Sequence, residues 1–143
     1  SDGAAAVVVM GADKARALQL SPLARIRSYG VSALSPEVMG LGPVEATRKA
    51  LLQANMSIDD IDLVEMNEAF AAQVLPSCHD LGLDLDRVNV HGGAIALGHP
   101  FGMGGARLTT TLLNGLIARD VNVGLVTMCA AGGQGMSMIV ERI

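Results

Sequence analysis

The stretch Ile61-Asp62-Leu63-Val64-Glu65-Met66-Asn67-Glu68-Ala69-Phe70-Ala71-Ala72-Gln73-Val74-Leu75 reads as two elements joined by a polar pair. Ile61–Met66 is a short apolar run of strand length. Asn67-Glu68 ends it, and apolar residues follow at once in a helix predicted to reach about Asp80, with Pro76 as a kink. A strand that hands over directly to a helix is the unit from which layered α/β sheets are built.

The same alternation extends outward in both directions. Upstream, Ala4–Met10 holds Val7-Val8-Val9 and reads as a buried strand, followed by a short helix over Gly11–Leu20 and a break at Pro22. Leu23–Ala33 alternates as a strand with one wet face. After the loop Ser35-Pro36 to Met39-Gly40-Leu41-Gly42, Pro43 opens a helix to about Asn55, with Val44, Thr47, Ala50, Leu51 and Ala54 on one face. Ser57-Ile58-Asp59-Asp60 is a capping-type turn. Downstream, Val88–Leu97 combines a strand with a glycine-rich turn, Gly102–Arg119 is helical, and the strands Val123–Met128 and Met136–Val140 close the chain as a hairpin. Strands alternating with helices and closed by a hairpin argue for an α/β layered sheet.

Composition narrows the functional classes. Half of the 143 residues are apolar, yet only 2% are aromatic, and 17 are glycine. That composition suits close packing of helices on a sheet rather than an aromatic binding platform. Net charge is −4, and the ten Lys and Arg residues are scattered, so nucleic acid is not an expected partner. Cys78 and Cys129 do not make a secreted disulfide framework, and with the three His residues they have no metal-ligand spacing, so no metal site is expected. No signal-like or bilayer-length apolar segment is read, and the expectation is a soluble, cytoplasmic chain (peroxisomal or mitochondrial in a eukaryote) without membrane partners.

Three segments exceed what folding alone asks for, each following a strand or introducing a helix. Asn67-Glu68-Ala69-Phe70-Ala71 can be a helix cap, since Asn caps well, or it can present a side-chain amide to a substrate group or water. Gly92–Gly102 sets His99 between Gly98 and Pro100, with five glycines in the thirteen residues Gly92–Gly104. Gly93 and Gly98 have P-loop spacing, but His99 and Pro100 stand where Lys and Ser or Thr are needed. A lone His is commonly structural; the density of glycine around this one favours function. Cys129-Ala130-Ala131-Gly132-Gly133-Gln134-Gly135 places a cysteine at a strand end before a turn rich in backbone N–H groups, which suits either a tight buried hairpin or an acid/base thiol with an oxyanion site. Cys78 reads as a packed structural cysteine and His79 as an exposed helix residue; His91, just before the glycine loop, could line the site but reads rather as a surface residue. Asp59, Asp60 and Asp62 read as cap and solvated surface.

Together the three loops resemble the thiolase family, over essentially the whole chain. Asn67-Glu68-Ala69-Phe70 is similar to its Asn-Glu-Ala-Phe motif, Gly92–Arg107 to its Gly-His-Pro signature, and Cys129–Gly135 to its Cys-x-x-Gly-Gly-x-Gly loop. Asp2–Ala6 and Ser35–Pro43 also fit. The resemblance implies reversible Claisen condensation and thiolysis of 3-ketoacyl-CoA, with acyl-CoA and coenzyme A as substrates and no cofactor. His99 would take the proton from a nucleophilic cysteine and, with a water held by Asn67, bind the thioester oxygen. Cys129 would be the acid/base at the acyl α-carbon, and the Ala131 N–H would help form a second oxyanion hole. Met39, Ala69, Phe70 and Gly98 would contact substrate.

The resemblance also implies what is missing. The family's nucleophilic cysteine and coenzyme A-binding insertion lie in an amino-terminal half, so this chain by itself is expected to be inactive. Residues 1–21 would be the last strand and helix of that half, and 22–143 the carboxy-terminal domain, an α/β fold with a mixed five-stranded sheet and helices on both faces. A homo-oligomer, dimer or tetramer, is implied for the whole enzyme. Ala131 departs from the family's frequent third glycine, which matters if that position needs positive φ. Phe101 and Met103 resemble thiolases of acyl-CoA degradation (fatty acid or sterol side chain). Two other readings are a decarboxylating condensing enzyme of the same superfamily, disfavoured by Cys129, and a non-catalytic thioester-binding or dimerisation module, disfavoured by the joint presence of Asn67, His99 and Cys129.

Overall fold

The computed structural model describes every residue from Ser1 to Ile143. Its elements in chain order are α1 (Ala12–Ala17), β1 (Ala24–Ala33), α2 (Gly42–Ala54), β2 (Leu63–Met66), α3 (Ala71–Leu81), α4 (Ala94–Leu97), α5 (Gly104–Arg119), β3 (Val123–Ala130) and β4 (Gln134–Arg142), with short 3-10 turns between several of them. The sheet order is β1-β4-β3-β2. β4 pairs antiparallel with both β1 and β3, while β2 and β3 run parallel. No helix is long and apolar enough to cross a membrane.

The α/β class and the mixed sheet hold, but the sheet has four strands rather than five. At the place of the fifth, Val88 makes a single parallel bridge to Val64. Asn89 then turns into the left-handed region at φ 47°, which ends any strand there. The strand expected over Ala4–Met10 does not form either. That run is non-regular, with Val8 85% exposed, because an apolar run becomes a strand only where a sheet edge accepts its hydrogen bonds. α3 begins at Ala71, four residues after Asn67.

Two apolar layers cover the sheet. On one face Val44, Ala50 and Leu51 of α2 and Val74, Cys78 and Leu81 of α3 pack with Val64, Met66, Leu125 and Ile139. On the other, Leu108, Leu112 and Leu116 of α5 pack with Leu63, Val126 and Val140. The face of β1 against α2 is small and polar rather than greasy: Ser28, Gly30 and Ser32 are buried, whereas Tyr29 and Val31 point to solvent. Each buried hydroxyl there is satisfied. Ser28 donates to the Ala50 carbonyl and Ser32 to the Gly42 carbonyl, both at 2.7 Å. Thr47, Ser137 and Thr127 form a hydroxyl chain at 2.9 and 2.7 Å. α2 therefore lies closer to the strands than large side chains permit, and a Cβ on Gly30 or Gly135 would collide with the carbonyl oxygens of Ala46 or Gly42.

One buried charge pair bridges β2 and α5. Glu65, 2% exposed, accepts from Arg107 at 3.2 Å. Burial pushes its carboxyl up to about 7, the guanidinium of Arg107 holds part of that rise back, and the nearby Glu68 charge adds to it.

Gly135→Ala is expected to destabilise the fold by about 1–3 kcal/mol in denaturant unfolding, through the backbone clash with Gly42. Gly102→Ala, with open space around it, should stay within about 0.5 kcal/mol. A second expectation concerns pH. Because the folded Glu65 carboxyl titrates above its ordinary 4.5, the folded state binds the proton more tightly than the unfolded one. Its contribution to stability is thus greatest below about 4.5 and falls as pH rises toward about 7. Relative to Glu65→Gln, the wild-type chain should lose stability over that interval by an amount on the order of 1–3 kcal/mol. Parallel unfolding curves for the two at every pH would contradict this.

Candidate active site

The carboxyl ends of the parallel strands β2 and β3 lie side by side, where open α/β sheets place ligands. The pairing of Met66 with Thr127 continues one step further, the Asn67 N–H donating to the Thr127 carbonyl at 2.9 Å. Asn67 thus leaves the sheet on the same edge as Cys129, which is two residues beyond Thr127.

Asn67 is not a cap. The cap position of α3 is Phe70, in an extended conformation with no side-chain cap, and its carbonyl accepts from the Gln73 and Val74 N–H groups. The Asn67 side chain is instead buried and turned to the glycine-rich loop, with Nδ2 3.3 Å from His99 Nε2. Its Oδ1 is buried with no partner from the chain. A buried carboxamide oxygen left unpaired is costly in a structural role, and it is the group that can accept a hydrogen bond from a water or a substrate donor. Because a carboxamide both donates and accepts, rotation about its last torsion lets it pair with either protonation state of Nε2.

His99 is delivered by a short rigid path. α4 ends with the Gly98 N–H donating to the Ala94 carbonyl at 2.8 Å, and Gly98 at φ 93° turns the chain so that His99 reaches Asn67. The Phe101 ring meets His99 edge to face, centroids 4.8 Å apart, and is itself 86% exposed. Cys129 is buried near the end of β3, opposite Gly135 across the hairpin. Burial raises its thiol above the ordinary range, with a backbone hydrogen bond offsetting part of the rise. No hydrogen bond joins Cys129 to Asn67 or His99.

In the turn that follows, positive φ falls on Gly132 and Gly133, at 87° and 84°, and not on Ala131. The alanine is therefore accommodated without strain. Its carbonyl accepts from Gln134 Nε2 at 3.4 Å, while its N–H enters no hydrogen bond within the chain. The Leu34 N–H donates to the Gly133 carbonyl at 2.8 Å and ties this turn to the end of β1.

Of the expected substrate contacts, Phe70 lines a groove of about 320 Å³ together with Val38, Gly40, Leu41, Gln73 and Pro76. Met39 and Ala69 are partly buried and sit beside lining residues rather than among them. Gln73 carries the other buried unpaired oxygen, Oε1. A larger cleft of about 460 Å³, lined by Arg27, Asn55, Asp60 and Glu141 among others, holds none of the candidate residues. Cys78 is buried in the core and His79 is exposed, each outside the site. The sequence alone does not single out Asn89 or Gln73. The only signal for Asn89 was an Asn just ahead of a glycine-rich loop, and for Gln73 a polar residue inside an apolar helix face.

Comparison with known proteins identifies the family. Residues 20–142 match the family described as thiolase, C-terminal domain. The chain is 54% identical to an acetyl-CoA acetyltransferase of Escherichia coli over all of its length and 36% of the relative's. It is 56% identical to a 3-ketoacyl-CoA thiolase of Alcanivorax borkumensis, again over the whole chain and 37% of the relative. Among solved structures, the acetyl-CoA acetyltransferase of Bacillus anthracis superposes with a TM-score of 0.91 at 43% identity, covering 94% of this chain and 34% of that one. Human mitochondrial 3-ketoacyl-CoA thiolase in complex with CoA superposes with a TM-score of 0.90 at 45% identity, covering 92% and 34%. The chain thus spans little more than a third of these curated relatives. With its motifs, fold and sequence in agreement, the chain belongs to the thiolase family and carries that family's carboxy-terminal domain.

Proposed function

We propose that this chain supplies the proton-transfer half of a thiolase active site, acting on 3-ketoacyl-CoA and coenzyme A. The observation that carries the reading is the Asn67–His99 contact with the buried, unpaired Asn67 Oδ1 beside it, at the strand edge that also bears Cys129. The names of the relatives, acetyl-CoA acetyltransferase and 3-ketoacyl-CoA thiolase, support the substrate class.

In the thiolysis direction, a cysteine thiol outside this chain attacks the 3-keto carbon, and its proton passes to His99. Asn67, through a bound water, and His99 stabilise the oxyanion that forms. Collapse breaks the bond between C2 and C3, leaving an acyl-enzyme and the enolate of acetyl-CoA. Cys129, kept as a thiol by its burial, gives its proton to the enolate carbon, while the free Ala131 N–H stabilises the thioester oxygen. The resulting Cys129 thiolate takes the proton of an incoming coenzyme A thiol, a transfer between chemically similar acids. Coenzyme A then attacks the acyl-enzyme, and the departing cysteine recovers its proton from His99. Condensation is the reverse.

Within this proposal, residues 1–21 belong with the preceding half of the enzyme and 22–143 form the domain described. The Phe70 groove receives the acyl or pantetheine portion. Phe101 and Met103 beside His99 favour the degradative direction, on fatty acyl or sterol side-chain thioesters.

The chain's other cysteine, Cys78, is locked in the core at 2% exposure, so no thiol remains to carry the acyl group. The purified chain is accordingly expected to show no thiolysis of acetoacetyl-CoA above the uncatalysed rate. Turnover by the chain on its own would sink the assignment of a nucleophile elsewhere. In the complete enzyme, Cys129→Ala should abolish exchange of the acetyl-CoA α-protons with deuterated water, while acyl-enzyme still accumulates on mixing with acyl-CoA. Retained exchange would remove Cys129 from its role.

A further inference from the structure

Asn67 and its neighbour Glu68 hold two points of one loop. Asn67 meets His99 at the loop's far end. Glu68 holds the near end, its Oε2 accepting from the Ile95 N–H at 2.8 Å. Its other oxygen, Oε1, accepts from Asn89 Nδ2, also at 2.8 Å. Asn89 in turn is fastened to the last rung of β2, its Oδ1 accepting from the Met66 N–H and its Nδ2 donating to the Met66 carbonyl, both at 2.9 Å. That carboxamide imitates the peptide of an adjacent strand. It continues the ladder where the Val88 bridge to β2 stops.

The fit is tight. A Cβ on Gly93 would collide with the Glu68 carboxylate, so the glycine directly before α4 is the space that carboxylate occupies. From Ile95 to His99 the chain is the single turn of α4 and Gly98, with no slack for the histidine to move independently. Both partners of Glu68 are donors, an amide NH₂ and a backbone N–H. A carboxylate satisfies both with one oxygen each; a carboxamide has one acceptor and must set its own NH₂ against one of those donors.

We propose that Glu68 is a positioning residue for the Asn67–His99 pair, its carboxylate locking α4 to the β2 edge through Ile95 and Asn89. This rests on the thiolase reading above only for its consequence in turnover. His99 must shuttle a proton and bind an oxyanion within hydrogen-bond reach, so a shift of its loop lowers the rate of the chemical steps more than it weakens substrate binding.

The test compares wild type, Glu68→Gln and Glu68→Ala in the complete enzyme, by acetoacetyl-CoA thiolysis, thermal melting and hydrogen–deuterium exchange. For Glu68→Gln, kcat should fall about tenfold or more while KM changes less than about threefold. Exchange over residues 94–99 should accelerate several-fold with β1–β4 unchanged, and the melting midpoint should stay within about 4 °C of wild type. Glu68→Ala, which removes both acceptors, must lose at least as much activity. Unchanged kcat, a rise in KM alone, or activity lost in step with global unfolding or with exchange spread across the sheet would overturn the proposal. A wild-type enzyme with no turnover would remove the functional reading instead, and the exchange measurement would still decide the role of Glu68.

Discussion

The parallel ladder between β2 and β3, extended by the Asn67 N–H to the Thr127 carbonyl, is the constraint on which the site depends. Parallel strands cannot be joined by a tight turn, so the 56 residues from Asn67 to Asn122 must cross over and return. That crossover contains α3, α4 and α5, and it brings the His99 loop back over the strand end from which Asn67 emerges. The antiparallel β3–β4 hairpin then turns at the same edge, which sets Cys129 and the Ala131 N–H next to the other two loops.

Around this edge the chain uses buried polar groups rather than apolar bulk. The hydroxyls of Ser28, Ser32, Thr47, Thr127 and Ser137 draw α2 close to the sheet, and every one of them has a partner. Glu65 and Arg107 tie α5 to β2 two residues before Asn67. Such groups are expensive when unpaired, so their complete pairing gives a rigid platform. Against it, the unpaired oxygens of Asn67 and Gln73 stand out. A molecule that satisfies these structural hydroxyls leaves open two carboxamide oxygens, one on the residue that meets His99 and one on a residue lining the Phe70 groove.

Much of the site was readable as residue type and order: Asn67 at a strand end, His99 between Gly98 and Pro100, Cys129 before a glycine turn. What each side chain does was less so. Capping and catalysis predict the same Asn67 in the same place, and only the start of α3 at Ala71 separates them. The Ala131 position could not be judged from composition, because positive φ depends on how the hairpin closes; closure puts it on Gly132 and Gly133. Apolar runs misled at Ala4–Met10 and after Val88, since strand formation depends on an available sheet edge as well as on the run itself. In β1 the alternation with one wet face is observed, with Arg25 and Arg27 exposed, but its buried face is Ser28, Gly30 and Ser32, small residues that admit close helix approach, which an apolar pattern does not reveal.

Local order along the chain determined the α/β class, the succession of most elements and the three motif loops, because periodicity, glycine and proline act over a few residues. Tertiary structure alone decided the number of strands, the freedom of the Ala131 N–H, the contact between Asn67 and His99 across 32 positions, and the Glu68–Asn89 clamp behind it. Those features depend on which backbone donors and acceptors remain unsatisfied once the sheet has closed, a quantity that exists only when distant segments have been brought together.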